Sequence, residues 1–246
     1  METVISYCTN DFRFIELNVK QCLQFSERVI IPMCDHMYDG TPENYDLFVK
    51  TKELENIGNV VVIPFEWSSK HDSRYWHNMA RWVGHQEARS EYVLHIDADE
   101  VFDAGLMNGF LSTEEYKSYD VCSFECYWYF RDPTYRARQT EMAGSMFKKS
   151  AWTKELAFNP NERWGYRYYP STLTYKEHCT YNGQVICNHF SWVRSKEEML
   201  TKVKTWGHNN DRDWTRAVHE EFNRPFNGRD FVHGYTYDIV ENKFNV

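Results

Sequence analysis

Apolar and polar positions alternate along the first hundred residues in the rhythm of an α/β sheet, short apolar runs divided by stretches with helical spacing. Val4 to Cys8 reads as a first strand ending at Thr9-Asn10-Asp11, after which Ile15, Val19, Cys22 and Leu23 share one helical face. Arg28 to Met33 reads as a second strand ending at Cys34-Asp35-His36. Asn44 to Glu55 has helical spacing, Gly58 stops it, and Asn59 to Phe65 reads as a third strand. Ser73 to Arg89 predicts a strong helix with Trp76, Met79, Ala80 and Val83 placed for burial. Tyr92 to Ile96 is then a fourth strand running directly into Asp97-Ala98-Asp99-Glu100. This βαβαβαβ order with short connections predicts a mostly parallel, Rossmann-like sheet flanked by helices, whose ligands bind beyond the carboxyl ends of the strands.

The second half is less regular. Tyr119 to Phe130, Met142 to Phe147 and Gln184 to Trp192 read as strands, and Ala157 to Tyr181 as an irregular stretch rich in Pro, Asn, Gly and Tyr. Ser195 to Trp206 predicts a helix opened by a Ser195/Glu198 capping box. With no repeat, low-complexity tract or linker, residues 1–246 read as a single domain with a nucleotide-binding half (1–103) and an acceptor-binding half (104–246).

Composition narrows the classes. Aromatics make up 17% of the 246 residues, which excludes a disordered chain and suits either a dense core or a sugar-binding cleft. The net charge of −8 argues against a general nucleic-acid binder. Seven cysteines without a C-x-x-C pair, several inside apolar runs, read as reduced thiols and not as a disulfide framework or a zinc site. No signal peptide, membrane-spanning run or Asn-x-Ser/Thr sequon is evident, so a cytoplasmic protein is expected. The commonest NTPase, dehydrogenase, hydrolase and zincin motifs are absent.

The acidic triplet carries the chemistry. Residues two apart on an extended segment project to one side, so Asp97 and Asp99 are placed to share a cation. Carboxylate oxygens suit Mn²⁺ or Mg²⁺, which also takes phosphate oxygens and acts as a Lewis acid on a departing diphosphate. Asp211-Arg212-Asp213 has the same spacing but no apolar strand before it, and reads as a solvated helix end or loop. His189 follows the apolar Val185-Ile186-Cys187 and precedes a helix bearing Lys196, Lys202 and Lys204. It reads either as a metal ligand or as a hydrogen-bonded histidine at a strand end, with His208 and His233 as weaker alternatives. Glu162 is the favoured base for an acceptor hydroxyl, ahead of Glu141, Glu155 and Glu177; it reads equally as a salt-bridge partner of Arg163. Trp128, Tyr129, Trp164, Tyr166, Tyr168 and Tyr169 are candidates for lining an acceptor cleft.

Asn78-Met79-Ala80-Arg81, Gly84, Ala88, Glu91-Tyr92-Val93-Leu94 and Asp97-Ala98-Asp99-Glu100 resemble the central stretch of GT-A-fold glycosyltransferases, especially the family 2-like group. The resemblance runs from Val4 to Asp103 and is looser beyond, where His189-Phe190-Ser191-Trp192 is similar to the late metal-binding histidine segment of several such enzymes. It implies that Thr9, Asn10 and Asp35 contact the nucleoside, and that Asn78 lies near the nucleotide or diphosphate. It also implies that Asp97 approaches the ribose and metal, Asp99 ligates the metal, and His189 is a third ligand. The second strand end departs from the group's pattern, with Cys34-Asp35-His36-Met37 where many members have Asp-Asp-Gly-Ser. The expected activity is sugar transfer from a nucleotide-diphosphate sugar, UDP favoured, to a carbohydrate or glycoconjugate acceptor, with inversion favoured. The alternatives are a sugar-1-phosphate nucleotidyltransferase, which would open with a Gly-rich basic loop unlike Thr9-Asn10-Asp11-Phe12-Arg13, and a non-catalytic carbohydrate-binding protein.

Overall fold

The computed structural model describes residues 1–168, 172–205 and 212–246. Its first half follows the apolar pattern: β1 (Glu2–Ser6), α1 (Phe12–Cys22), β2 (Val29–Cys34), α2 (Tyr45–Glu53), β3 (Val60–Phe65), α3 (Ser73–Glu87) and β4 (Tyr92–Asp97). β1 is parallel to both β2 and β4, and β2 is parallel to β3. Ile5, Ile31 and Ile96 are wholly buried, and each such side chain contributes about 1.5–3 kcal/mol relative to exposure. Helix α3 starts where Asp72 caps the backbone N–H of Tyr75 at 2.9 Å. It reaches the sheet through Gly84, where an added Cβ would lie 2.4 Å from a Val4 methyl and 2.8 Å from Pro32.

The chain continues through β5 (Glu100–Phe102), α4 (Ala104–Ser112), β6 (Val121–Phe130), β7 (Asp132–Lys148) and the single turn α5 (Lys154–Ala157). It ends with β8 (Tyr175–Tyr181), β9 (Gln184–Val185), β10 (Cys187–Trp192), α6 (Lys196–Thr205), α7 (Trp214–Phe222) and β11 (Tyr237–Ile239). The sheet runs β3-β2-β1-β4-β7-β6-β10-β5. β7 joins the two halves, antiparallel to β4 on one side and to β6 on the other. β10 lies parallel to β6 and antiparallel to β5, so the short strand after Asp99 is paired with the strand bearing His189. This is the single-domain, Rossmann-like GT-A architecture that the resemblance implies, with antiparallel pairs added in the second half.

Two expectations change in detail. The strand read over Met142 to Phe147 is the end of the much longer β7, whose polar middle, residues 138–140, is exposed and carries no burial signal. The supposedly irregular Ala157–Tyr181 contains β8, parallel to β6. The Ser195/Glu198 capping box is present, with Glu198 accepting from the Ser195 N–H at 2.7 Å and Ser195 from the Glu198 N–H at 3.2 Å. All seven cysteines are buried free thiols. No helix among the described residues is long and apolar enough to cross a membrane.

Candidate active site

The acidic turn is fixed from three directions. Asn18, wholly buried on α1, donates to the carbonyls of Ala98 at 3.1 Å and Glu100 at 3.0 Å. The Ala98 N–H donates to Ser6 at the end of β1 at 3.0 Å, and the Phe190 N–H of β10 donates to the Asp99 carbonyl at 2.8 Å. Glu100 turns inward, accepting from the Asp97 N–H at 2.9 Å and from both Nη atoms of buried Arg163 at 2.6 Å. The turn is thus clamped by backbone and buried side chains, and the carboxylates of Asp97 and Asp99 remain to face a cavity of about 300 Å³.

That cavity lies at the carboxyl ends of β1 and β4. Asn10, Asp97, Asp99, Glu162, His189 and Lys202, six of the sequence candidates, line it. Tyr7, Met37, Tyr38, Arg74, His77 and Trp192 join them without having been singled out. Arg81 and Arg163, just behind the wall, were also missed. The signal for Arg81 is a cation on the buried face of α3, between Trp76 and Gly84.

Asp97 sits between two guanidinium groups and an imidazole. Arg81 Nη2 lies 2.9 Å from its Oδ1, Arg163 Nη2 3.5 Å from its Oδ2, and His77 Nε2 3.2 Å from its Oδ1. Burial alone would raise its pKa, but Arg81, Arg163 and His77 outweigh that and hold the carboxyl well below the usual range. Glu162 lies 3.0 Å from Arg81 Nη1, so its salt-bridge partner is Arg81 and not its neighbour Arg163. Burial opposes ionisation here too, yet Arg81 and His77 bring its pKa down to about 2. Its backbone is left-handed, with φ of 51°, a conformation that costs a non-glycine residue free energy and recurs at functional sites.

Asp99 occupies the other side of the cavity. Its Oδ1 is 3.5 Å from His189 Nε2, and its Oδ2 is 3.7 Å from Lys202 and 4.0 Å from Arg194. Against burial, His189 and Lys202 lower the Asp99 pKa; the same contact raises that of His189 well above its ordinary value. Among the described residues no group of three or more His, Cys, Asp or Glu side chains is placed to hold a metal ion. Asp99 and His189 nevertheless fit as a two-ligand half-site. Ligands about 2.1 Å from one cation stand about 3 Å apart in cis, and Mg²⁺-type sites draw their remaining ligands from phosphate and water. Asp97 fits less well as a direct ligand, because the guanidinium groups of Arg81 and Arg163 engage both its oxygens.

Of the remaining candidates all but Trp128 fall outside the lining or outside the described residues. Thr9 is buried and bonds Glu43 through its N–H and hydroxyl. Asp35 accepts from the Trp67 N–H at 2.8 Å, and Asn78 is buried with its Oδ1 accepting from Arg81 at 3.3 Å. Lys196 lies in the first turn of α6, away from the cavity. Of the aromatic candidates only Trp128 lines the cavity. Tyr129 and Tyr166 are core, Trp164 packs at the edge of a separate cluster, and Tyr168 is exposed. Tyr169 and His208 lie outside the described residues. Glu141 accepts from Tyr235 and Glu177 from Tyr166, neither in the cavity. In the second acidic triplet Asp213 caps α7 by accepting from the Arg216 N–H at 3.0 Å, while Asp211 lies outside the described residues.

No protein-family model and no curated protein sequence matches the chain. Solved structures do match at low identity. S. aureus TarS is 13% identical over 90% of this chain with a TM-score of 0.50, and shares its fold; the match spans 42% of that TarS chain. S. aureus TarS 1-349 in complex with UDP is 11% identical over 98% of this chain and 97% of its own, with a TM-score of 0.46. HddC from Yersinia pseudotuberculosis is 11% identical over 77% of this chain and 93% of its own, with a TM-score of 0.44.

Proposed function

We propose that the chain is a family 2-like glycosyltransferase, moving a sugar from a nucleotide-diphosphate donor, UDP favoured, to a carbohydrate or glycoconjugate acceptor. The observation that supports this reading is the convergence of Asp97, Asp99, Glu162, His189 and Lys202 on one cavity at the strand ends. The nucleoside would lie toward Tyr7, Asn10 and Tyr38, and the diphosphate toward Asp99, His189 and Lys202. Asp99 and His189 would hold Mn²⁺ or Mg²⁺, which when bound supplies Lewis-acid stabilisation of the leaving diphosphate. Lys202, 3.7 Å from Asp99, would set its amino group beside the same oxygens. Asp97, held by Arg81 and Arg163, is a rigid acceptor for ribose or sugar hydroxyls. In an inverting transfer Glu162 would take the proton of the acceptor hydroxyl at Oε1, since Arg81 occupies Oε2.

The glycosyltransferase reading is favoured over a nucleotidyltransferase because β1 passes into a glycine-free turn, Thr9–Asp11, that contacts Glu43 and offers no phosphate-cradling loop. Calorimetry with a panel of nucleoside diphosphates, with and without Mn²⁺, tests the donor half. Binding of UDP that strengthens with Mn²⁺ is expected; metal-independent binding, or none to any diphosphate, would sink the reading.

A further inference from the structure

Arg74, His77 and Arg81 follow one another at i, i+3 and i+7 along α3, the spacing that aligns side chains on one face of a helix. Arg74 and His77 line the cavity, with Arg81 just behind its wall. Side-chain exposure rises along this row, from 1% at Arg81 through 25% at His77 to the exposed Arg74. Arg81 therefore marks the floor and Arg74 the mouth, two helical turns or roughly 10 Å apart along the axis. This part of the mouth lies on the Glu162 side. Glu162 pairs with Arg81 at 3.0 Å, and Tyr75, next to Arg74, packs at a ring separation of 5.0 Å on Phe158, in the segment leading to Glu162. The other basic groups lining the cavity each have a carboxylate: His77 has Asp97, while His189 and Lys202 have Asp99. Among the described residues no carboxylate pairs with the Arg74 guanidinium, although the chain has 36 acidic residues to 28 basic.

We propose that Arg74 binds an anionic group, carboxylate or phosphate, on the acceptor, so that the enzyme acts on negatively charged glycans. The inference rests on the glycosyltransferase reading and adds to it the class of acceptor. An acceptor whose hydroxyl reaches Glu162 extends out past the mouth, where this guanidinium stands without a counter-ion. On an open surface such an arginine is held by water alone; at the mouth of a substrate cavity it becomes a contact once the acceptor displaces that water. The planar fork of a guanidinium matches the paired oxygens of a carboxylate or phosphate, and such charge-assisted pairs are stronger than neutral ones. Arg74 also lies in the first turn of α3, where the helix dipole favours negative charge. The donor's diphosphate has its own partners, Lys202 and the Asp99–His189 pair, on the other side of the cavity.

The test is calorimetry on the full chain loaded with UDP and Mn²⁺, so that the diphosphate end is filled and only the mouth is read. Methyl glucuronide, methyl glucoside 6-phosphate and methyl glucoside are titrated at millimolar concentration into wild type, Arg74→Gln and Arg74→Lys. Wild type is expected to bind at least one anionic sugar about tenfold or more tightly than methyl glucoside, the worth of a hydrogen bond to a charged group. Arg74→Gln should erase that preference. Arg74→Lys, which keeps the charge and loses the fork, should restore part of it. The carboxylate and phosphate arms show which anion is read. Equal affinity of wild type for all three sugars, absence of binding included, would overturn the proposal, and so would a preference that survives in Arg74→Gln. UDP binding by each variant shows that it is folded; a tenfold loss there, with the sugar preference intact, would assign Arg74 to the donor. Failure of wild type to bind UDP would instead count against the proposed function, and titration of the unloaded protein would still read the dependence on Arg74.

Discussion

Arg81 and Asp97 form an ion pair at 2.9 Å between α3 and the end of β4, and the same guanidinium reaches Glu162 at 3.0 Å. Arg81 is almost wholly buried, so its charge is tolerable only because two carboxylates surround it. Arg81→Met leaves Asp97 and Glu162 facing one another with one cation fewer. Breaking a buried pair from one side costs about 3 kcal/mol or more. Urea denaturation should show that loss, with Arg81→Lys recovering part of it; equal stability of all three proteins would mean that the pair contributes nothing.

Glu162→Gln separates binding from chemistry. The amide still accepts from Arg81, so nucleotide affinity should stay within a few-fold of wild type. Turnover with a working donor and acceptor should drop about 10²–10⁴-fold, the usual worth of a positioned general base. A fall in donor affinity with unchanged turnover would reassign Glu162 to donor binding.

The two Asp-x-Asp copies make a matched pair of variants. Asp99→Ala is expected to abolish Mn²⁺-dependent UDP binding, since Asp99 belongs to the proposed half-site. Asp213→Ala removes the cap of α7 and should cost about 1 kcal/mol of stability without touching binding. Calorimetry and thermal melts on both variants check this, and equal loss of binding would show that position along the chain is no guide to which copy works.

His85 sets an acid limit on stability. It is buried on α3, its Nδ1 lies 3.1 Å from His95 Nε2, and its Nε2 lies 3.0 Å from the Lys149 carbonyl. Burial first, and the Lys149 charge after it, bring its pKa down to about 4 against the opposing hydrogen bond to that carbonyl. The unfolded chain therefore takes up the proton first as pH falls. The contribution is complete above about pH 6.5 and erodes down to about pH 4, by roughly 3 kcal/mol. His85→Gln should flatten melting temperature against pH across that interval; an unchanged slope would place the acid sensitivity elsewhere, with His95 the next group to examine.

Gly84→Ala probes how tightly α3 lies on the sheet. Its new methyl group would meet Val4 and Pro32 inside contact distance, and backbone must shift to admit it. Overpacking of this kind costs about 1–3 kcal/mol, more than the gain in helix propensity returns. A chemical denaturation curve at neutral pH measures the difference.

The first half of the chain was legible because burial there is periodic. Ile15, Val19 and Cys22 face the sheet on α1, and β1, β2 and β4 are apolar runs bounded by polar turns. The second half was harder to read because β7 changes character along its length, exposed and polar at residues 138–140 and buried at Met146 and Phe147. Asp97 and Asp99 were visible as polar residues closing an apolar strand, and His189 as an imidazole following the apolar Val185-Ile186-Cys187, although it lies within β10. Arg81 and Arg163 were not, because a cation's value depends on which carboxylates the fold brings to it, and Arg163 is 63 positions from Glu100 in sequence. Thr9 and Asp35 sit at the expected strand ends yet turn to Glu43 and the Trp67 backbone, a choice made by side-chain direction, which periodicity does not encode.

The pairing of β5 with β10 carries a consequence for how the protein is made. Asp99 leaves the ribosome about ninety residues ahead of His189, and Lys202 emerges later still. Until β10 arrives, β5 lacks the strand that pairs with it, and Asp99 has neither imidazole nor ammonium opposite it. Contacts so distant in sequence form slowly, because a long loop must close before they return any free energy. A nascent chain halted after β8 would already hold the four parallel strands, but the lining of the cavity would be complete only with the last fifth of its synthesis.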